Sequence, residues 1–234
     1  MITIYPYENL GHANHGWLNA RHHFSFARYV NRDRTAFGVL RVINDDIVQG
    51  SRGFAPHPHD NMEIITYVRK GAISHKDSMG NEGSTGAGDV QVMSAGSGIV
   101  HSEFNHEHED TILYQIWIEP NEENVTPRWD AAEFPKAPIK DILPILVSGQ
   151  DEHKGSNALF IHQDAAIYGG NILEGTKLTQ KIKHQAYILA SEGSFSVNGQ
   201  ILKKGDGAEV TGEKTLEIEA LGDAEILIID VPVN

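Results

Sequence analysis

The 234-residue chain contains no cysteine, no cluster of basic residues and no apolar run long enough to span a bilayer. Without cysteine it has no disulfide framework, no thiolate nucleophile and no ligands for an iron–sulfur cluster. Lysine and arginine number 19 against 32 acidic residues, which gives a formal net charge of −13. Nucleic acids and anionic membrane surfaces are therefore poor partners. The first residues lack the pattern of a secretory signal, so we expect a cytoplasmic protein.

Short apolar or alternating segments, separated by turn residues, make up most of the chain, and long helical periodicity is missing. Many short strands of similar spacing predict an all-β, antiparallel sandwich or barrel. The dipeptide Asn198-Gly199 predicts a hairpin turn, and 126–134 predicts one short helical turn. The predicted strands are 37–44, 62–71, 89–95, 111–120, 186–193, 194–199, 215–221 and 224–233.

The two halves of the chain carry a weak internal repeat, in which a Gly-Asp pair enters a strand at Gly88-Asp89 and again at Gly205-Asp206. The proline-rich, charged segment 119–141 between them is typical of a connection. A duplicated β-sandwich explains this pattern, and we predict domains at 1–125 and 126–234. The histidines of the first half have no counterparts in the second, which therefore keeps the fold signals alone.

His57 and His59 are two residues apart just ahead of an apolar run, so on a strand they face the same side. His101 and Glu103, some forty residues later, are also two residues apart and would face one side of a strand. Glu63 is an even number of residues after His57 and His59, so it shares their parity. Three neutral imidazoles and one carboxylate suit a first-row transition metal. Such a ligand set leaves coordination positions for water, O₂ or a chelating substrate.

The other histidines are assigned differently. His106 and His108 have the same spacing as His57 and His59 but lie among acidic residues, which indicates a solvated loop. A group near the N-terminus is expected to line a pocket or to join the two halves rather than to bind metal: His12, His15, His22 and His23. The remaining four are isolated in the sequence and are expected to be structural: His75, His153, His162 and His184.

The segments "HPHDNMEIITYVRKG" and "GDVQVMSAGSGIVHSEFN" resemble the two motifs of cupins, with His57, His59 and Glu63 in the first and His101 in the second. The glycine that usually leads the first motif is displaced, and Ser94 replaces the usual proline of the second. These segments, together with "GHANHGWLNARHHFSFARYV", resemble the pirin family, and bacterial pirin-like quercetin 2,3-dioxygenases in particular. The resemblance is strong over the first half and weaker over the second.

That resemblance implies a tandem cupin (bicupin) whose second domain is degenerate and whose first holds one divalent metal. In pirins the ligands are the HxH pair, the later histidine and the glutamate two residues after it, which here are His57, His59, His101 and Glu103. Fe(II) is the expected metal, and Mn, Ni, Cu or Zn would also suit the ligands. The germin-like pattern would instead make Glu63 the carboxylate ligand. We favour Glu103 and expect Glu63 to orient a ligand imidazole.

The resemblance further implies an O₂-dependent oxidoreductase that opens the heterocycle of a flavonol such as quercetin and releases carbon monoxide. Glu103 would be the general base for the flavonol 3-hydroxyl, and Phe54, Met93 and Ile99 are expected to line the pocket. Two alternatives stay open: a non-enzymatic, redox-responsive iron protein that regulates a transcription partner, and a cupin enzyme with another small-molecule substrate. A monomer is expected, because a tandem cupin already buries its own sheets.

Overall fold

The computed structural model describes residues 1–233, which form 22 β-strands and two short 3-10 helices, Tyr7–Asn9 and Asp151–His153. The strands are β1 (Ile2–Tyr5), β2 (Gly11–Asn14), β3 (Leu18–His22), β4 (Leu40–Val48), β5 (Arg52–His59), β6 (Glu63–Lys70), β7 (Ala72–Asp77), β8 (Glu82–Gly86), β9 (Val90–Ser94), β10 (Ile99–Asn105), β11 (Thr111–Ile118), β12 (Arg128–Ala132), β13 (Ile145–Ser148), β14 (Leu159–Phe160), β15 (Ala166–Ile172), β16 (Lys177–Lys181), β17 (Gln185–Glu192), β18 (Ser194–Val197), β19 (Gln200–Lys203), β20 (Gly207–Val210), β21 (Thr215–Ala220) and β22 (Ala224–Val231).

The strands form two sandwiches, each built from one seven-stranded and one four-stranded sheet. In the first sandwich the large sheet has the order β12-β9-β6-β11-β4-β3-β2 and the small sheet β5-β10-β7-β8. In the second, the large sheet is β1-β20-β17-β22-β15-β13-β14 and the small sheet β16-β21-β18-β19. The all-β bicupin architecture predicted from the sequence is therefore confirmed. Among the described residues, no helix is long and apolar enough to cross a membrane.

Each predicted strand overlaps a strand of the structure, and Asn198-Gly199 joins β18 to β19 with φ angles of +46° and +81°. Both residues lie in the left-handed region that a two-residue hairpin turn requires. The helical turn predicted in 126–134 is wrong, because Arg128–Ala132 is a strand that pairs with β9. That pairing supplies the backbone hydrogen bonds that an isolated helical turn would have left unsatisfied.

Two strands cross the predicted division of the chain at 125/126. The N-terminal strand β1 pairs with β20 in the large sheet of the second sandwich. In the other direction, β12 belongs to the large sheet of the first sandwich. The sheets agree with the domain limits 1–125 and 126–234 for strands β2 to β11 and for strands from β13 onwards. The limits themselves stay a prediction, and residue 234 lies outside the described residues.

The two seven-stranded sheets pack face to face, and the largest apolar cluster lies between them. Along β11, Tyr114, Ile116 and Ile118 enter this cluster, whereas Gln115 and Trp117 alternate to the interior of the first sandwich. The interior of the second sandwich is filled by another large apolar cluster. Within the described residues, the interior of the first sandwich holds two small apolar clusters beside buried polar side chains.

Polar contacts also join the halves near His23. Its Nδ1 lies 3.0 Å from the hydroxyl of Tyr187, and Arg34 donates both to that hydroxyl and to the carbonyl of His23. Arg34 also forms an ion pair with Glu209. The expected role of His23 in joining the halves is confirmed. Because the ring is fully buried beside the Arg34 guanidinium, the pKa of His23 is lowered to about 3.

We expect acidification to destabilise the protein through His23. Its unfolded form takes up a proton as the pH falls below about 6.5, whereas its folded form stays neutral until about pH 3. Stability from this group is therefore complete above pH 6.5 and is lost towards pH 3. Between pH 7 and pH 5 the wild type should lose about 2 kcal/mol more unfolding free energy than His23→Gln.

Urea unfolding at the two pH values measures this difference. Exposed His106 supplies the control, since His106→Gln should keep the wild-type pH dependence. An equal loss of stability in wild type and His23→Gln would contradict the prediction.

Candidate metal centre

Three histidines converge between strands β5 and β10 of the small sheet in the first sandwich. His57 and His59 share one face of β5, and the antiparallel register places His101 opposite His57. One ring nitrogen from each of the three lies within 4.8 Å of the others. The ring centroids are 4.5 to 5.0 Å apart. The structure thus brings together the three histidines that the sequence singled out.

The free nitrogens of these rings fit a metal ion. His57 donates its Nδ1–H to the carbonyl of Ala55 at 2.7 Å, which leaves its Nε2 lone pair free. The Nε2 atoms of His59 and His101 are buried and have no hydrogen-bond partner among the described residues. Burial and the neighbouring imidazoles lower the pKa of His59 to about 4 and that of His101 to about 3. Neutral imidazoles with unused lone pairs are the form that binds a divalent metal.

Glu103 lies in the same cavity as the histidines but is held by three side-chain donors. Its carboxylate accepts hydrogen bonds from Gln91 Nε2 at 2.6 Å, Gln115 Nε2 at 2.7 Å and Thr66 Oγ1 at 3.1 Å. Complete burial raises the pKa of Glu103 to about 7. A shift of strand register separates it from His101, and in the described chain it is not part of the 4.8 Å group. Its assignment as a metal ligand stays a prediction.

Glu63, the alternative carboxylate, lies apart from the three imidazoles. It is buried at the start of β6, where it accepts a hydrogen bond from Ser94 Oγ at 2.8 Å, and burial raises its pKa to about 7. It neither lines the cavity nor belongs to the histidine group of the described residues. Its hydrogen-bond partners are the Ser94 hydroxyl and the backbone of His162 rather than one of the three imidazoles, so the structure gives no support to the orienting role expected for it.

A fourth imidazole contacts His101, that of His75, which sequence reasoning classed as isolated. His75 Nδ1 lies 3.4 Å from His101 Nδ1, and His75 Nε2 lies 3.0 Å from Asp77 Oδ2. Both residues are buried on the face of the small sheet that also carries His101 and Glu103. The alternation of His75 and Asp77 was visible in the sequence. Its meaning depends on the pairing of β7 with β10, which the sequence does not show.

The histidines open into a cavity of about 900 Å³ with aromatic walls. Trp17 packs edge-on against Phe54 with centroids 5.2 Å apart, and Phe26 packs edge-on against Trp117 at 5.5 Å. Phe54 therefore lines the cavity as expected. The other two predicted lining residues, Met93 and Ile99, lie instead in a small buried apolar cluster that also contains Ile64.

Three of the four N-terminal histidines also line this cavity. His12, His15 and His22 line it, and His22 is fixed by a 2.7 Å hydrogen bond to Asn44. Their predicted place in a pocket lining is confirmed, as is the exposure predicted for His106 and His108.

One carboxylate of the cavity escaped sequence reasoning. Asp46, on the same face of β4 as Asn44, is buried and lines the cavity, and its Oδ1 has no hydrogen-bond partner in the described part of the chain. Burial and the nearby Asp45 and Glu103 raise its pKa well above the ordinary value. Two aspartates inside the apolar strand sequence "INDDIV" were the available signal, because charged residues are rarely buried without a reason.

Two tandem β-sandwiches, one of which carries converging histidines in its interior, define a bicupin with a candidate metal centre. Comparison with known proteins narrows this class. The Pirin family model matches residues 5–118, and the model of the quercetinase C-terminal cupin domain matches residues 145–231. The chain belongs to the pirin family.

Relatives are similar over their whole length. A Pseudomonas aeruginosa protein, provisionally named a quercetin 2,3-dioxygenase, is 49% identical over 233 residues, which cover 99% of this chain and 100% of the relative. The quercetin 2,3-dioxygenase of Escherichia coli K12 is 40% identical, with 99% of each chain covered. The solved structure of the Escherichia coli pirin YhhW in complex with nickel(II) has a TM-score of 0.91 and 37% identity, with 100% of each chain covered.

Replacing His57, His59 or His101 by alanine should abolish retention of a divalent metal, because each change removes one of the three converging imidazoles. We expect the dissociation constant for Ni(II) to rise by more than about 100-fold, beyond the 10–100-fold typical of residues that merely support a ligand. Calorimetric titration of metal-free protein measures it. His108→Ala, in an exposed loop with the same HxH spacing, should bind as wild type does. If one of these three alanine variants folds and binds Ni(II) as tightly as wild type, the replaced histidine is not a ligand.

Proposed function

We propose that the protein is a metal-dependent dioxygenase that opens the heterocycle of a flavonol such as quercetin. The observation that carries the proposal is the opening of three converging imidazoles, with buried Glu103, onto an aromatic-walled cavity of about 900 Å³. Among the described residues, the Nε2 atoms of His59 and His101 have no hydrogen-bond partner there. A cavity of this size is within the range that holds a compact aromatic ligand. The quercetin 2,3-dioxygenase names of full-length relatives support the same substrate class.

His57, His59 and His101 would hold the metal, with Glu103 as the further ligand that the pirin pattern assigns. We infer Fe(II) as the native metal, and the same nitrogen and oxygen donors suit Mn, Cu, Zn or the nickel found in the Escherichia coli pirin. The bound cation would supply Lewis acidity that stabilises a deprotonated substrate oxygen.

Glu103 is the residue assigned to accept the proton of the flavonol 3-hydroxyl. Its carboxylate is buried at the base of the cavity, where Gln91, Gln115 and Thr66 fix its position. These neutral donors hold the carboxylate without adding a positive charge that would weaken it as a base. A buried carboxylate held in one position is suited to proton transfer at one defined substrate atom.

The aromatic walls would hold the flat substrate. Trp17, Phe54, Phe26 and Trp117 form two edge-to-face pairs that line the cavity. Such walls favour planar rings over sugars or amino acids and exclude water from the reacting atoms. In the overall reaction both atoms of O₂ enter the organic product, one carbon leaves as carbon monoxide, and the proton held by Glu103 returns to the ring-opened ester.

The proposed activity predicts that metal-loaded protein consumes quercetin in air and releases one carbon monoxide for each flavonol. Absorbance of quercetin and headspace carbon monoxide are followed together for protein loaded with Fe(II), Mn(II) or Ni(II). The His101→Ala variant, treated identically, controls for free metal. Absence of turnover by every metal-loaded form would contradict the proposal and would favour the non-enzymatic regulatory hypothesis.

Glu103 and Glu63 form a matched pair for testing the base, since both are buried carboxylates whose pKa is raised to about 7. Glu103→Gln should lower kcat per bound metal by about 10²–10⁴-fold, the usual contribution of a general base. Glu63→Gln should stay close to wild type, because Glu63 does not line the cavity.

Metal content of both variants is measured by mass spectrometry alongside kcat. Normal turnover in Glu103→Gln would end its role as base. Loss of metal in Glu63→Gln alone would assign the carboxylate ligand to Glu63, as in the germin-like pattern.

A further inference from the structure

A buried histidine–aspartate pair lies directly behind one of the metal-site imidazoles. Strand β7 pairs with β10 so that Asp77 is opposite His101 and His75 is opposite Glu103. The side chains of His75 and Asp77 are 1% and 0% exposed. Neither residue lines the cavity, so neither is placed to contact a substrate. His75 contacts His101, and Asp77 is hydrogen-bonded to His75.

The hydrogen-bond partners of Asp77 determine which of its neighbours donate. Asp77 Oδ1 accepts from the backbone N–H groups of Met79 at 2.9 Å and Asn81 at 3.0 Å, and Oδ2 accepts from Asn81 Nδ2 at 2.9 Å. These three donors stabilise the ionised carboxylate, and together with the hydrogen bond from His75 they hold the pKa of Asp77 below its ordinary value. His75 Nε2, 3.0 Å from Oδ2, must therefore donate its proton to Asp77.

The donation from His75 to Asp77 also determines where the proton of His101 lies. In neutral His75 only one nitrogen carries hydrogen, so a donating Nε2 leaves Nδ1 as an acceptor. His101 Nδ1 is the group that faces this acceptor, at 3.4 Å, and it must be the donor. The lone pair of His101 is then on Nε2, which is the buried nitrogen without any partner among the described residues.

Packing fixes the orientation of the intermediate ring. His75 stacks on Trp129 with centroids 4.9 Å apart and an interplanar angle of 7°. Trp129 comes from β12, the strand that the connecting segment adds to the first sandwich. The His75 ring therefore packs against both the indole and the His101 ring, whose centroid is 5.3 Å away, and this packing favours one orientation of its nitrogens.

We propose that His75 and Asp77 are positioning residues for the metal, which hold His101 with its proton on Nδ1 and its lone pair on Nε2 directed at the ion. Hydrogen bonding to a carboxylate through an imidazole makes the ligand nitrogen more basic and keeps its ring in the binding orientation. His57 has no such charge behind it, since its Nδ1–H is donated to a backbone carbonyl. This inference rests on the metal centre of the proposed function.

Two variants test it. Asp77→Asn replaces the acceptor Oδ2 by an amide N–H donor. His75 Nε2 would then accept, so the His75 proton would move to Nδ1. That N–H would face the Nδ1–H of His101, and the two would repel each other. His75→Phe keeps a ring on Trp129 but removes the acceptor, and it leaves the hydrogen bonds of Asp77 to residues 79 and 81 in place. The matched control is Asp164→Asn, because Asp164 Oδ2 contacts His184 Nε2 at the same 3.0 Å, in the second sandwich.

Each variant should bind Ni(II) about 10–100-fold more weakly than wild type, the usual cost of removing a group that supports a ligand. Asp164→Asn should bind as wild type does. The visible spectrum of the Co(II)-loaded protein should change in both variants, because the field of the His101 nitrogen changes. In metal-free protein, ¹⁵N NMR should report the Nδ1–H form of His101 in wild type and its loss in Asp77→Asn.

The outcomes separate this inference from the proposed function. Wild type that binds Ni(II), together with variants of equal affinity and unchanged Co(II) spectrum, would overturn the inference alone. Wild type that binds no metal would overturn both. If Asp77→Asn does not fold, as judged by circular dichroism, His75→Phe still decides the result. An Nε2–H form of His101 in wild type would by itself overturn the assignment.

Discussion

The packing of the two seven-stranded sheets against each other is the constraint on which the rest of the molecule depends. It buries one face of each central strand in a shared apolar cluster, so that the strands cannot slip by one residue without placing polar side chains there. The opposite face of the same strands is thereby directed to the interior of its own sandwich. Because stability comes from the shared cluster, the interior of the first sandwich is free to be polar.

The two interiors show what that freedom permits. In the second sandwich the pair Leu178 and Ile218, on β16 and β21, belongs to an apolar cluster that fills the space. In the first, the corresponding pairing of β5 and β10 joins His57 to His101. A duplicated fold therefore keeps one copy as a packed support and opens the other as a cavity, since only one interior has to contribute full apolar burial.

The sequence predicted what depends on local pattern and left out what depends on pairing between distant strands. The eight predicted strands, the Asn198-Gly199 turn and the shared face of His57 and His59 follow from alternation and spacing, and the resemblance to pirins assigned His101 to the same site. His75 and Asp77 were missed because their role arises only once β7 lies beside β10. The crossing of β1 and β12 between the predicted domains was missed for the same reason, as short edge strands carry little apolar signal.

Hydrogen-bond satisfaction separates the structural polar groups of the cavity from those available for chemistry. Buried polar atoms are normally paired, because leaving one unpaired costs about 1–3 kcal/mol. Glu103 meets this rule through three donors. The Nε2 atoms of His59 and His101 and the Oδ1 of Asp46 break it within one cavity. These unpaired atoms support the metal centre proposed above, since the other sandwich shows that apolar filling was available. For His101, the contact with His75 places the ring proton on Nδ1 and leaves the lone pair on Nε2.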